Sequence, residues 1–165
     1  MFSGGYTNRD FETLIEAVRG TEHELVLCVV PENRLPDDIP DNVELIYNEG
    51  PEEFSEYLSA GALGVVPLYA GRGGAGYSVL VEHFMNGQPT IASDENMRDY
   101  VVESACRLVP PGDVAAMRRA IDDVMSEPET RAQMGIEGRK LYEQRFSTRA
   151  VATLLIQSLD HVNLQ

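Results

Sequence analysis

Apolar positions along the chain repeat with two periods. Phe11, Leu14, Ile15 and Val18 fall at i, i+3, i+4 and i+7, with Thr7 or Asn8 ahead of them as caps and Gly20 just beyond, so this spacing predicts a helix over residues 10–19. Residues 24–30, ELVLCVV, form a near-continuous apolar run of strand length, as expected for a parallel strand covered on both faces. Residues 1–3 read as a short first strand, 43–47 as a third and 64–67 as a fourth. Between the second and third, residues 31–42 hold three prolines and four acids and read as loop. A helix with proline in its first turn covers 51–59. Val79, Leu80, Phe84 and Met85 give the apolar face of another, closed by Asn86-Gly87, and Pro89 to Ala92 begins a fifth strand.

The remainder continues the alternation. Residues 97–102 read as a short helix, 106–109 as a strand, and 110–113 as a turn ending on Asp113, a good cap for the helix marked by Met117, Ala120, Ile121 and Val124. Pro128 opens a helix reaching about Arg145, and a last one from Ser147 carries Ala150, Val151, Leu154, Leu155, Leu159 and Val162 on one side. Strands alternating with helices predict an α/β class, a Rossmann-like open parallel sheet with helices on both faces, in a single domain of 165 residues.

Composition narrows the function. No run approaches 18 apolar residues and the start lacks the pattern of a signal peptide, so a cytoplasmic protein without a membrane span is expected. The 27 acids against 13 bases give a formal net charge of −14, which disfavours nucleic acid as a partner. An anionic ligand must then be held by backbone N–H groups, helix N-termini and a few arginines working against the overall field. Cys28 and Cys106 lie in apolar strand-like runs and read as packed thiols, not a metal or redox motif.

In an open parallel sheet the ligand crevice lies beyond the carboxyl ends of the strands, which selects residues 3–9, 67–78 and 93–99. The second of these runs into GRGGAGYSVLVEHFMNGQPTIASD, residues 71–94. Its glycines let the backbone approach a ligand, and Ser78 is placed to cap a helix whose first N–H groups face an anion. Glu82 is the one acid in that helix and suits the two hydroxyls of a ribose. A flexible loop with an ordinary surface glutamate fits the same letters. Gly4-Gly5 makes a second glycine turn before a helix, and Arg9 sits where a cation meets a phosphate, unless it is a solvated charge in the first turn.

In order, these pieces resemble the C-terminal, donor-binding domain of GT-B-fold glycosyltransferases, the glycosyl transferases of group 1. GYTNRDFETLIEA (5–17) looks like the opening of that domain, with Arg9 where the family usually has a phosphate-binding lysine. VPLYAGRGGAGYSVLVEHFMNGQPTIAS resembles the family's glycine loop and "LEAMAxGxPVVA" signature, and LVPPGDVAAMRRAIDDVMSEPETRAQMGIEGRKLYEQRFS its closing pattern. The resemblance implies that Glu82 is the second glutamate of a Glu-x7-Glu motif and binds the donor's ribose. Gly74 stands where the first glutamate belongs, so the carboxylate that orients the transferred sugar is missing or replaced by loop backbone. Tyr6 replaces an arginine that often follows the opening glycine, and His83 replaces a small residue.

The donor-binding set implied by resemblance and residues together is Gly4, Gly5, Arg9, Arg72, Gly74, Ala75, Gly76, Tyr77, Ser78, Val79 and Glu82. Arg72 either folds over a diphosphate or is a mobile surface side chain, and His83 reads as a packed or solvated histidine, not a catalyst. No catalytic residue is assigned. The expected function is binding of a nucleotide-diphosphate sugar for retaining hexosyl transfer to a glycan or lipid-linked acceptor, with no cofactor and no metal required. The partner implied is an N-terminal GT-B half, in cis or in trans, because residues 1–165 match only the C-terminal half; homo-oligomers are the other option. A non-catalytic binding or assembly module is the competing reading, and a receiver-like domain is weaker, since Gly4, Gly5 and Tyr6 stand where it needs acids.

Overall fold

Six parallel strands make one sheet in the order β3-β2-β1-β4-β5-β6 in the computed structural model, which describes residues 1–47, 50–71 and 73–162. The strands are β1 (Phe2–Gly4), β2 (Leu25–Val29), β3 (Val43–Tyr47), β4 (Gly64–Val66), β5 (Thr90–Ser93) and β6 (Cys106–Val109). The helices are α1 (Phe11–Val18), α2 (Pro51–Ala60), α3 (Tyr77–Met85), α4 (Val114–Ser126), α5 (Pro128–Leu141) and α6 (Thr148–Val162). From β1 the chain winds outward to β3, returns to the centre with β4 and winds outward again to β6. The reversal lies between β1 and β4, so their loops diverge and leave a crevice between them.

Alternation along each strand sends neighbouring side chains to opposite faces. Leu25, Leu27 and Val29 join Phe11, Leu14 and Ile15 of α1 and Met117 and Ile121 of α4 on one side. On the other, Cys28 and Ile46 pack with Phe2 and Leu58 beneath α2, while Val66 and Ala92 pack with Leu80 and Phe84 of α3 and Leu141 of α5. Both cysteines are buried thiols.

Three local expectations change. Asp10, not Thr7 or Asn8, caps α1: its carboxylate accepts from the Thr13 N–H at 3.1 Å and from the Thr13 hydroxyl at 2.7 Å, leaving residues 7 and 8 free to turn. Residues 97–102 form turns instead of a helix, because left-handed Asn96 (φ 59°) redirects the chain and buried Met97 is drawn into the core. The helix expected to run to Arg145 ends at Leu141 and continues as one π-helical turn, Tyr142–Phe146. The last helix leaves much of its apolar stripe uncovered: Val151, Leu154, Leu155, Ile156 and Leu159 are between 43% and 62% exposed. Val162, assigned to the same stripe, has a side chain outside the described set.

Candidate functional site

The loop after β1 is built around a buried cation. Gly5 takes φ 123°, and a Cβ there would collide with the Arg9 guanidinium, so only glycine lets the side chain fold back over the turn. Arg9 then donates from Nε to the Gly4 carbonyl at 2.9 Å and from Nη1 to the Thr7 carbonyl at 2.8 Å. It is 5% exposed, which removes the solvated alternative. Burial lowers its pKa to about 10, leaving it charged at neutral pH. No carboxylate of the described residues lies within ion-pair distance of it. A desolvated cation without an acidic partner is costly, and an anionic ligand relieves that cost.

Residues 8–10 are pinned to the loop after β4. The Asp10 N–H donates to the Pro67 carbonyl at 3.2 Å, the Tyr69 N–H to the Asn8 carbonyl at 3.4 Å, and the Asn8 side-chain amide to the Tyr69 carbonyl at 3.2 Å. This clasp brings Arg9 to the glycine loop, whose Gly71 N–H is held by the Glu95 carboxylate at 3.0 Å. Gly76 then starts α3 at φ 87°, with no side-chain hydrogen bond capping the helix. Ser78 is therefore not the cap: the left-handed glycine turns the chain first, and Ser78 falls in the opening turn, facing the cleft. The first N–H groups of α3 remain open to a ligand, with the positive end of the helix dipole behind them.

A cleft of about 580 Å³ joins these parts. It gathers Gly5, Arg9, Gly74, Ala75, Gly76, Ser78, Val79 and Glu82 of the expected set, together with Tyr6 and Thr7 from the first loop. Gly4 is buried beneath it and contributes through its carbonyl to Arg9. Tyr77 turns the other way, donating its hydroxyl to the Asn96 carbonyl at 3.1 Å and packing on Tyr100 at 4.5 Å. Arg72 lies outside the described residues. Gly74 is left-handed (φ 79°) with open space around the position a side chain would take, so the missing glutamate leaves room in the cleft.

Ser78, Val79, Glu82 and Met85 recur at helical spacing along the cleft. The Glu82 carboxylate is half-buried, is held by no side-chain hydrogen bond or ion pair among the described residues, and has its pKa raised by desolvation. Opposite stand Gly50, Phe54 and Ser55, from the start of α2. The sequence reading missed this wall, although the crevice rule names it: these residues follow the carboxyl end of β3. His83 points into the core, fully buried, with its pKa lowered to about 4 mainly by desolvation. Among the described residues no group of three or more His, Cys, Asp or Glu side chains is placed to hold a metal ion, and no helix is long and apolar enough to cross a membrane.

An all-parallel sheet with this strand order, its glycine-loop helix and a cleft at the β1/β4 reversal make a doubly wound α/β domain, and its structural neighbours are GT-B glycosyltransferases, consistent with the C-terminal domain of that fold. The chain belongs to the glycosyl transferases of group 1, whose family model matches residues 8–141. Sucrose-phosphate synthase from Thermosynechococcus elongatus superposes with a TM-score of 0.78 at 23% identity, covering 99% of this chain and 45% of that one. The C-terminal domain of a group 1 glycosyltransferase, LpcC, from Francisella tularensis gives a TM-score of 0.73 at 13% identity, over 89% and 86% of the two chains. HepE from Anabaena, crystallised with UDP, gives 0.73 at 15% identity over 97% of this chain and 48% of its own. The chain thus spans about half the length of the synthase and of HepE. No curated protein sequence matches it.

Proposed function

We propose that the cleft binds a nucleotide-diphosphate sugar and that the chain is the donor half of a retaining hexosyltransferase acting on a glycan or lipid-linked acceptor in the cytoplasm. The observation that carries this reading is Arg9, a buried cation without a carboxylate partner among the described residues, set beside the uncapped start of α3. Those two features suit a diphosphate. Glu82 lies about 7 Å farther along the helix axis, a distance that suits the ribose. HepE, which shares the fold, has also been crystallised with UDP-glucose. In this reading Arg9 and the α3 N–H groups carry the diphosphate charge without a metal.

Glu82→Gln is expected to weaken nucleoside diphosphate binding by about 1.5 to 3 kcal/mol, the range for hydrogen bonds to a charged group. A 2′,3′-dideoxy ligand should bind both forms alike in calorimetry. Equal losses for the two ligands would assign Glu82 a structural part only.

The exposed apolar side of α6 supports a partner, and the half-length match suggests which: the N-terminal half of the enzyme, in cis or in trans. An acceptor must be held at near-attack distance from the anomeric carbon, and this domain alone offers only the donor wall. Mixing with a matching N-terminal half should give a one-to-one complex by light scattering and restore turnover. Self-association through α6 would favour a homo-oligomer, and a monomer that transfers sugar unaided would contradict the half-enzyme reading. The second reading, a non-catalytic module, draws on Gly74, which leaves no carboxylate where the family motif places one. It predicts a complex that binds nucleotide without turnover.

A further inference from the structure

The two walls of the cleft are tied beneath its floor by a pair of buried side chains that the donor-site reading does not use. Gln88, 5% exposed, donates its amide to the Leu58 carbonyl at 2.9 Å and to the Gly61 carbonyl at 2.5 Å, reinforcing the C-terminal end of α2, where the Gly61 N–H also donates to the Leu58 carbonyl at 3.3 Å. Those two bonds fix the amide's orientation, so its oxygen faces His83 Nδ1 and accepts from it. His83 sits on α3, one residue from Glu82. The ring is accommodated because residue 64 on β4 is glycine: a Cβ there would lie within 3 Å of three ring atoms. With Nδ1 donating, Nε2 is the bare nitrogen, and it has no hydrogen-bond partner among the described residues. Through Nδ1 the ring completes a path from α3 through Gln88 to α2.

We infer that His83, acting through Gln88, is a positioning residue that fixes α2 against α3 and so sets the width of the cleft between Phe54 and Ser55 on one wall and Glu82 on the other. Without the Nδ1 donor, the Gln88 oxygen is left buried and unpaired. The amide then rotates to find a partner and releases the α2 carbonyls. The inference rests on the cleft being a nucleotide site, in which the nucleoside lies between the walls and the diphosphate at Arg9. A small residue at 83 with a larger one at 64 would fill the same space without the tie.

Two variants test it. His83→Ala combined with Gly64→Val restores volume without the hydrogen bond, and Gln88→Met breaks the tie from the other side at similar size. In both, amide exchange in residues 54–61 should rise at least about tenfold while α1 keeps wild-type protection. In both, the affinity for UDP, GDP or ADP, whichever the wild type binds, should fall about tenfold while inorganic pyrophosphate binds within about twofold of wild type. Wild-type exchange in α2, or a uniform rise across the domain, would overturn the inference and leave His83 as packing. Equal losses for nucleotide and pyrophosphate would overturn it as well. If the wild type binds no nucleotide, the donor-site reading fails while the exchange measurement still decides the tie.

Discussion

Arg9→Ala should abolish most of the preference for a diphosphate over its nucleoside. The guanidinium is buried and charged, has no acidic partner among the described residues and faces the same cleft as the open N–H groups of α3. Hydrogen bonds to charged groups contribute roughly 1.5 to 3 kcal/mol, so nucleoside diphosphate affinity should fall about 10- to 150-fold, with the nucleoside hardly affected. Added salt should narrow the gap by screening. The ligand-free melting temperature should move less than the affinity suggests, because two effects oppose each other. Loss of the side chain leaves the Gly4 and Thr7 carbonyls without their donor, but it also removes a desolvated charge. Titration calorimetry with both ligands checks the first part, and equal losses would take Arg9 out of the phosphate site.

Gly76→Ala should produce the largest loss of stability at the site. The residue is left-handed at φ 87°, a conformation that costs an L side chain roughly 1–2 kcal/mol. Its Cβ would also stand 2.9 Å from Met97 Cε, 3.0 Å from Val66 Cγ1 and 3.2 Å from Leu68 Cδ1. Met97 can yield, but Val66 is held in β4, and overpacking of this kind costs about 1–3 kcal/mol. The sum is about 2–5 kcal/mol, or a fall in melting temperature of roughly 4–20 °C at 2–4 °C per kcal/mol. Gly74→Ala is the internal control: the same left-handed backbone in open space should lose only the conformational part, about 1–2 kcal/mol. Similar losses at both positions would mean that contact with Met97, Val66 and Leu68 does not matter.

The sheet was legible because its signals are local. The ELVLCVV run, the 11-14-15-18 spacing of α1 and the proline that opens α5 each depend on neighbours in sequence, and each holds in the structure. What failed depended on groups distant in sequence. The turns at 97–102 follow from Met97 being drawn beneath Gly76, a contact across more than twenty positions that helical spacing cannot express. The cap of α3 went to Gly76 instead of Ser78 because backbone handedness outranked a side-chain oxygen two residues too late. For the cleft, the glycine loop, Glu82 and Arg9 announced themselves through residue type and position. The α2 wall did not, since Phe54 and Ser55 read as an ordinary helix start until β3 is placed at the sheet's edge. Arg9 was visible as a candidate, but its burial appears only once Gly5 folds the side chain inward.

Amide chemical-shift perturbation on adding UDP, GDP or ADP to the isotopically labelled chain measures the donor site most directly. The account predicts that one or more of the three shifts Gly5, Arg9 and the amides of residues 74–79 and 82 in a saturable, concerted way, with inorganic pyrophosphate reproducing the changes at Arg9 and the start of α3 but not those at Glu82. Saturable shifts confined to some other surface, or none with any of the three at millimolar concentration, would contradict it.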